Sequence, residues 1–489
     1  MLDRRDTMLL RQINDPKLAQ YAYLIGCQRT GEALLIDPER DIDRYLDLAA
    51  AEGLRITAVA ETHIHADFLS GARELAERTG AKLFLSDEGG TDWRYVWPRE
   101  GDYAVQWLTD GDTFSIGRIE VQALHTPGHT PEHLSFLVTD HGGGASEPIG
   151  IASGDFVFVG DLGRPDLLET AAGVDGQREP SARALFRSLD RFLALPDFVQ
   201  VWPGHGAGSA CGKALGAVPS STVGYEKRNN ASLDGARRGE EAFVASILEG
   251  QPEPPVYFAT MKRLNKMGPP LLGRDRPSLL PTPSWLSATE LLDVVGQKSR
   301  VVVDTRRDPK AFMAQHLAGS LHAPLDRSFP TIVGSYLRPG DEVVLIVDQG
   351  DLDEAVRDLV RIGFEGVVGF ASPTVLDDPA LSNSLRSTPT ADFDGLAHRN
   401  GGTVLDVRGA AEFAAGHVPG ALNIAHTRLA SRLEEVPRDE PLWVHCRSGA
   451  RAATATAFLE RQGFQPVWVD DALTQASVDL TDQTEGVKR

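Results

Sequence analysis

Seven residues, Thr62-His63-Ile64-His65-Ala66-Asp67-Phe68, constrain the fold of this chain more than any other stretch. Two histidines and an aspartate fall within five positions, directly after the apolar run 56–60. Behind them, segment 68–79 places Leu69, Ala72, Leu75 and Ala76 at helical spacing, with Gly80 as a stop. The pattern predicts a strand, a ligand-rich turn and a helix, which is a frame for a metal site. Imidazole and carboxylate are the ligands that suit borderline transition metals.

A chain of 489 residues has room for two to four domains. Its net charge of −20 lacks the basic footprint of nucleic-acid binding, so no nucleic-acid partner is expected. No apolar stretch approaches the length of a bilayer-spanning helix, and MLDRRDTMLLRQIND lacks the apolar core of a signal peptide. A cytoplasmic protein with no membrane partner is the expectation. The three cysteines, Cys27, Cys211 and Cys446, are far apart and form no CxxC pair, which argues against a disulfide framework. Cys27, inside the apolar run YLIGC, reads as a small core residue.

Strands are predicted at 21–26, 32–36, 82–85, 113–116, 119–124, 134–138, 149–154 and 198–202, with helices at 42–52, 181–195 and from 239 onward. Residues 86–105 read as irregular. Such alternation implies layered α/β domains. His129 in HTPGHT, Asp155 after IASG, Arg164 in GRPDL and His205 in WPGHG all sit at strand ends or in Gly/Pro turns. A layered fold can gather these positions at one edge. Pro269, Pro270, Pro277, Pro281 and Pro283 mark a linker.

The remainder is an internal duplication. VVVDTRRDPKAFMAQHLAGSLH, from Val301, aligns with TVLDVRGAAEFAAGHVPGALNI, from Thr403. Asp304 then matches Asp406, Arg306 matches Arg408, Phe312 matches Phe413 and His316 matches His417. Further on, VVLIVD ends at Asp348 where PLWVHC ends at Cys446.

Taken in order, THIHAD, TPGHT, SGD and WPGHG resemble the motif series of the metallo-β-lactamase superfamily. The resemblance implies an αβ/βα sandwich with the site at one edge of two sheets. Members that bind two metals carry HxHxDH, and here the last position is Phe68. The missing ligand favours a single metal. Within the superfamily the sequence is similar to the persulfide dioxygenases. That resemblance implies one Fe(II) per chain held by His63, His129 and Asp155, a facial triad with open positions for sulfur and O2. His65, Asp67 and His205 would then stand behind the ligands and orient them by hydrogen bonds. GRPDL matches a family motif whose arginine is implicated in substrate binding, so Arg164 is a candidate fork for the carboxylate of a thiol substrate. An ion pair with Asp161 or Asp166 is the competing role. Cys211, in GHGAGSACGKALG, is placed by the resemblance near the pocket mouth, as a sulfane-sulfur contact or as a buried structural thiol.

In VHCRSGARAA, Cys446 follows a predicted strand and precedes a predicted helix. Small residues let backbone N–H groups turn inward, and the helix N-terminus with Arg447 and Arg451 favours a thiolate. The loop resembles that of the rhodanese family, Cys-x-x-x-x-Arg, and related phosphatases use a loop one residue longer. In this reading Cys446 is the nucleophile, Arg451 and Arg447 assist it, and Asp406, Arg408 and His417 are scaffold. Asp348 replaces the cysteine in the first repeat, which therefore reads as inactive.

The expected architecture is a multidomain α/β chain. It comprises a metallo-β-lactamase-like dioxygenase domain at 1–268, an inactive rhodanese-like domain at 284–383 and an active rhodanese domain at 390–489. The whole resembles bacterial persulfide dioxygenase–rhodanese fusions. Thiol persulfide, O2 and sulfite are the implied substrates, thiosulfate the implied product, and association with copies of itself is expected. Glutathione, coenzyme A and bacillithiol all remain open as the thiol. Two rival readings stand beside it. One is a glyoxalase II-like metal-dependent thioester hydrolase fused to a sulfur-carrier rhodanese. The other is a sulfur carrier or redox sensor with a structural metal.

Overall fold

The computed structural model describes residues 7–171, 173–273, 278–295, 297 and 299–474. Pro277 of the proline-rich stretch and the outermost residues of the expected first and last domains therefore lie outside the described residues. The chain forms two compact units, Met1–Leu279 with Arg361–Gly363, and Leu280–Val360 with Phe364–Arg489.

Two six-stranded sheets build the first unit. One runs in chain order through β1 (Met8–Asp15), β2 (Gln20–Cys27), β3 (Glu32–Ile36), β4 (Arg55–Ala60), β5 (Lys82–Ser86) and β6 (Val105–Leu108). The other contains β7 (Thr113–Ile116), β8 (Ile119–His125), β9 (Leu134–Asp140), β10 (Gly150–Gly154), β11 (Gln200–Pro203) and β12 (Ser221–Thr222), again as sequential neighbours. β2 shows why the layers form. Tyr21, Tyr23, Ile25 and Cys27 enter one core cluster, whereas Ala22 and Leu24 enter another. The period of two sends alternate side chains to opposite faces, and both faces are covered.

The first cluster joins Ile25, Leu34 and Phe84 to Phe114, Phe136 and Trp202, so the two sheets face each other. Helix Asp43–Ala51 contributes Tyr45, and helix Ala72–Thr79 contributes Leu75, to the outer face of the first sheet. Helix Arg178–Leu193 supplies Leu185, Leu189 and Phe192 to the outer face of the second. The result is the αβ/βα sandwich. Turns after β4, β8, β10 and β11 carry the ligand-type residues.

The helix predicted over 68–79 begins only at Ala72. Asn265, on helix Phe258–Met267, takes up the backbone before it. Its Nδ2 donates to the carbonyls of His65 (2.9 Å) and Phe68 (2.7 Å), and Ser70 N–H donates to its Oδ1 at 2.9 Å. Backbone groups committed to a side chain are not available for helical bonds.

The second unit contains two parallel five-stranded sheets of identical strand order. In space the first runs Ser284–Trp285, Val367–Ala371, Glu342–Ile346, Arg300–Asp304, Leu321–His322. The second runs Thr390–Ala391, Pro466–Val469, Leu442–His445, Thr403–Asp406, Leu422–Asn423. The duplicated residues make duplicated contacts. Asp304 pairs with Arg306 at 2.7 Å, as Asp406 does with Arg408 at 2.6 Å. His316 Nδ1 donates to the Phe312 carbonyl and stacks on its ring, and His417 does the same with Phe413.

Candidate functional site

The turn after β4 holds His63, His65 and Asp67, all buried. Thr62 anchors it: its N–H and Oγ1–H donate to Asp37 Oδ1 and Oδ2 at 2.7 and 2.8 Å. With that hydroxyl hydrogen committed, His63 Nδ1 donates to Thr62 Oγ1 at 2.9 Å, which leaves Nε2 as the free lone pair. His129 is oriented the same way, because its Nδ1 donates to the Arg164 carbonyl at 3.0 Å. Asp155 Oδ2 has no hydrogen-bond partner although it is buried. It lies 3.4 Å from His129 Nε2 and 4.0 Å from His63 Nε2.

Three donors thus converge on one point, and an ion about 2 Å from each spans such gaps. Two oriented imidazoles and an unpartnered carboxylate oxygen fit a borderline metal. Burial pushes both histidines below their ordinary range, His129 to about 4, which keeps them as neutral ligands. Burial opposes ionisation of Asp155, but the charge of His205 and its hydrogen bond outweigh it and hold that carboxylate well below its usual range.

The other predicted residues take separate places. His205 bridges Asp155 Oδ1 and Asp67 Oδ2, each at 2.7 Å, and these two carboxylates raise it to about 10 against the cost of burial. His65 does not join His63 and His129. Its Nε2 lies 3.1 Å from Asp37 Oδ1 and from Glu61 Oε2, and both carboxylates hold it well above the usual histidine range despite burial. Phe68 closes that side, with its ring 4.4 Å from the His65 ring. Arg164 turns its fork onto Asp166, at 2.8 and 2.6 Å, and its remaining nitrogen to the Ala210 carbonyl. Its guanidinium is thus committed internally, and its carbonyl positions His129. Gly163 is dictated by closeness, since a Cβ there would lie 1.7 Å from the Asp155 carbonyl oxygen. Cys211 is buried beside Asp67 and His205, and burial followed by the charges of Asp67 and Asp155 raises its thiol well above the ordinary value.

In the second unit, Cys446 stands between strand Leu442–His445 and helix Ala450–Arg461. Gly449 adopts φ +84°, which turns the loop into the helix. Arg451 is held by Glu412 through two bonds of 2.6 and 2.9 Å, with the Cys446 sulfur also acting on it. Arg447 is exposed, and its carbonyl accepts from Leu473 N–H. At the matching point of the first repeat, Asp348 leads into the short 3-10 turn Gln349–Asp351.

Several residues at the site had no motif to mark them. His133 is held at three points: its Nε2 accepts from the Asp155 N–H, its Nδ1 donates to Thr126 Oγ1, and its ring stacks on His63. Glu132 accepts from Ile64 N–H at 2.9 Å. Lys262 and Asn265 share the buried face of helix Phe258–Met267 with Phe258 and Met261. Two polar residues at i, i+3 on an otherwise apolar stripe are the signal that marks them.

The model of the metallo-β-lactamase superfamily matches residues 15–205, and that of the rhodanese-like domain matches 390–471. The crystal structure of a metallo-β-lactamase from Staphylococcus aureus subsp. aureus COL is similar over 75% of this chain and 99% of its own, at 41% identity and a TM-score of 0.67. A β-lactamase hydrolase-like protein of Xylella fastidiosa is 31% identical over 47% of this chain, and the chain spans only 53% of that relative's length. The mitochondrial persulfide dioxygenase ETHE1 of Bos taurus is 29% identical over 40% of this chain and 68% of its own. The chain belongs to the metallo-β-lactamase superfamily and carries a rhodanese-like domain behind that fold.

Proposed function

We propose that the first unit oxidises a thiol persulfide with O2 to sulfite at a single Fe(II), and that Cys446 transfers sulfane sulfur to sulfite. The placement of His65 carries this reading. With His65 turned to Asp37 and Glu61, and Phe68 apolar, the converging donors are two imidazoles and one carboxylate. That is the ligand set of non-haem iron oxygenases, and because mononuclear hydrolytic zinc also takes two histidines and a carboxylate, O2 dependence is the property that separates the two chemistries. Its likeness to persulfide dioxygenase ETHE1 supports the same choice. The domain division adopted for this chemistry is 1–268, 284–383 and 390–489.

His63, His129 and Asp155 would hold the iron, which would supply the activation of O2 and of the persulfide. Thr62 and the Arg164 carbonyl fix the two rings, so the ligands need no reorganisation. His205, charged between Asp155 and Asp67, keeps the Asp155 carboxylate ionised. The stoichiometry is persulfide plus O2 plus water giving thiol and sulfurous acid. At the second centre, the Cys446 thiolate attacks the outer sulfur of another persulfide and releases its thiol. Sulfite then takes that sulfur as thiosulfate and restores the thiolate. The product of the first reaction is the acceptor in the second.

The test is O2 uptake by the iron-loaded chain with a low-molecular-weight persulfide, quantifying sulfite and thiosulfate together. Uptake with thiosulfate as the main product is expected. No uptake, or thioester hydrolysis by the zinc form without O2, overturns the dioxygenase reading. Steady sulfite accumulation with Cys446 intact and persulfide in excess overturns the coupling.

A further inference from the structure

A cavity of about 740 Å³ opens beside the metal-binding turn. Its walls include Ile64, Trp93, Gln177, Thr260, Lys262 and Arg263. Ile64 lies between His63 and His65, so the inner wall is the turn itself. The volume is that of a small-molecule site. Lys262 is only 8% exposed, and its Nζ stands 4.9 Å from the centre of the Trp93 ring. Among the described residues it has no hydrogen bond or ion pair with a carboxylate. Its charge acts on His63 and His129, and Glu132 and Asp155 act on it in turn. Those charges do not offset its burial, which still lowers Lys262 from the ordinary lysine range, so an anionic ligand seated on it supplies the compensation that is lacking. Arg263 is exposed in the same cavity, and Lys266 donates to the Asp92 carbonyl there. Arg164 offers no alternative, since Asp166 occupies its fork.

Resting on the dioxygenase reading, we propose that this cavity holds the thiol-bearing part of the substrate through an anionic group paired with Lys262, over the indole of Trp93. The substrate class is then an anionic low-molecular-weight persulfide, and Lys262 sets the preference for it. Carboxylate and phosphate satisfy the ammonium equally, because it acts as a compact point charge rather than a planar fork.

Two measurements on the full chain test this. Calorimetric binding of the reduced thiols glutathione and coenzyme A needs no turnover, so it stands even if the oxidation chemistry fails. Lys262→Met, which keeps the stem, is expected to weaken at least one of them about 30-fold, with Lys262→Arg restoring part of the loss. Loss for glutathione alone identifies a carboxylate, and loss for coenzyme A alone identifies a phosphate. In turnover, the ratio of kcat/KM for the persulfide of that thiol to that for methyl persulfide, which has no carboxylate or phosphate, should fall by a similar factor, through KM. Unchanged binding of both thiols, or an unchanged ratio, overturns the proposal. Wild-type turnover of methyl persulfide checks the dioxygenase reading separately.

Discussion

The two repeats of the second unit share a frame and differ in one loop. Both carry five parallel strands in the same order, an Asp–Arg pair at the end of the strand beside the central one and a histidine stacked on a phenylalanine. They part where strand Glu342–Ile346 leads to Asp348 and a 3-10 turn, and strand Leu442–His445 leads to Cys446 and a glycine-turned helix start. The frame is a matter of packing and can persist without chemistry. The loop is where an anion-binding backbone, a thiol and an arginine must coincide. Cys446→Ser should therefore cut thiosulfate formation by more than about 1,000-fold while leaving O2 uptake in place. Asp348→Cys should gain no transfer activity, because no arginine and no matching turn accompany it. Measurable transfer by that variant would erase the distinction between the two loops.

The frame itself can be tested symmetrically. Asp304 and Asp406 are buried, and each neutralises an arginine next to it. Removing either carboxylate leaves a guanidinium without its partner, at a cost of about 3–5 kcal/mol. Denaturant unfolding of Asp304→Ala and Asp406→Ala should show similar losses. If Asp406→Ala instead keeps its stability and loses sulfur transfer, Asp406 belongs to the chemistry rather than to the scaffold.

The arginine of the loop comes next in size. Glu412 fixes Arg451 beside Cys446, so Arg451→Gln should slow transfer about 100-fold by removing one oriented donor to the sulfur. Exposed Arg447 should matter far less. Equal effects at the two positions would mean that net charge, rather than orientation, activates the loop.

Much of this organisation is legible in the sequence for a physical reason. Strand periodicity and turn residues are local, so β2, β3 and the strand–turn–helix around Cys446 follow from neighbours along the chain. The direction of a side chain in a turn is not local. His63 and His65 look alike in THIHADF, yet one faces His129 and the other faces Asp37 and Glu61. The delayed start of the helix at Ala72 depends on Asn265, nearly two hundred positions away. Lys262 carries no motif either. Composition shows a lysine, and only the fold places it in a cavity next to the metal-binding turn.

The smallest effect concerns how the duplicated frames are joined within their unit. His316 Nε2 lies 3.0 Å from Glu460 Oε1, and Thr388 donates to Glu460 Oε2 at 2.8 Å. Burial opposes ionisation of Glu460, but the His316 contact outweighs it and holds the carboxyl below its ordinary value. A folded-state value below the unfolded one contributes stability above the unfolded pKa of about 4.3, and that contribution is lost as pH falls through the folded value. Glu460→Gln keeps the shape and removes the charge, so it should cost about 1–2 kcal/mol at pH 7. The gap between the variant and the wild type should narrow on acidification, since protonation removes the same charge from the wild type. Chemical denaturation at pH 7 and at pH 4 measures both ends. A gap that stays constant between them would mean that the contact works through packing and neutral hydrogen bonds, and the joint between the repeats would then be insensitive to acid.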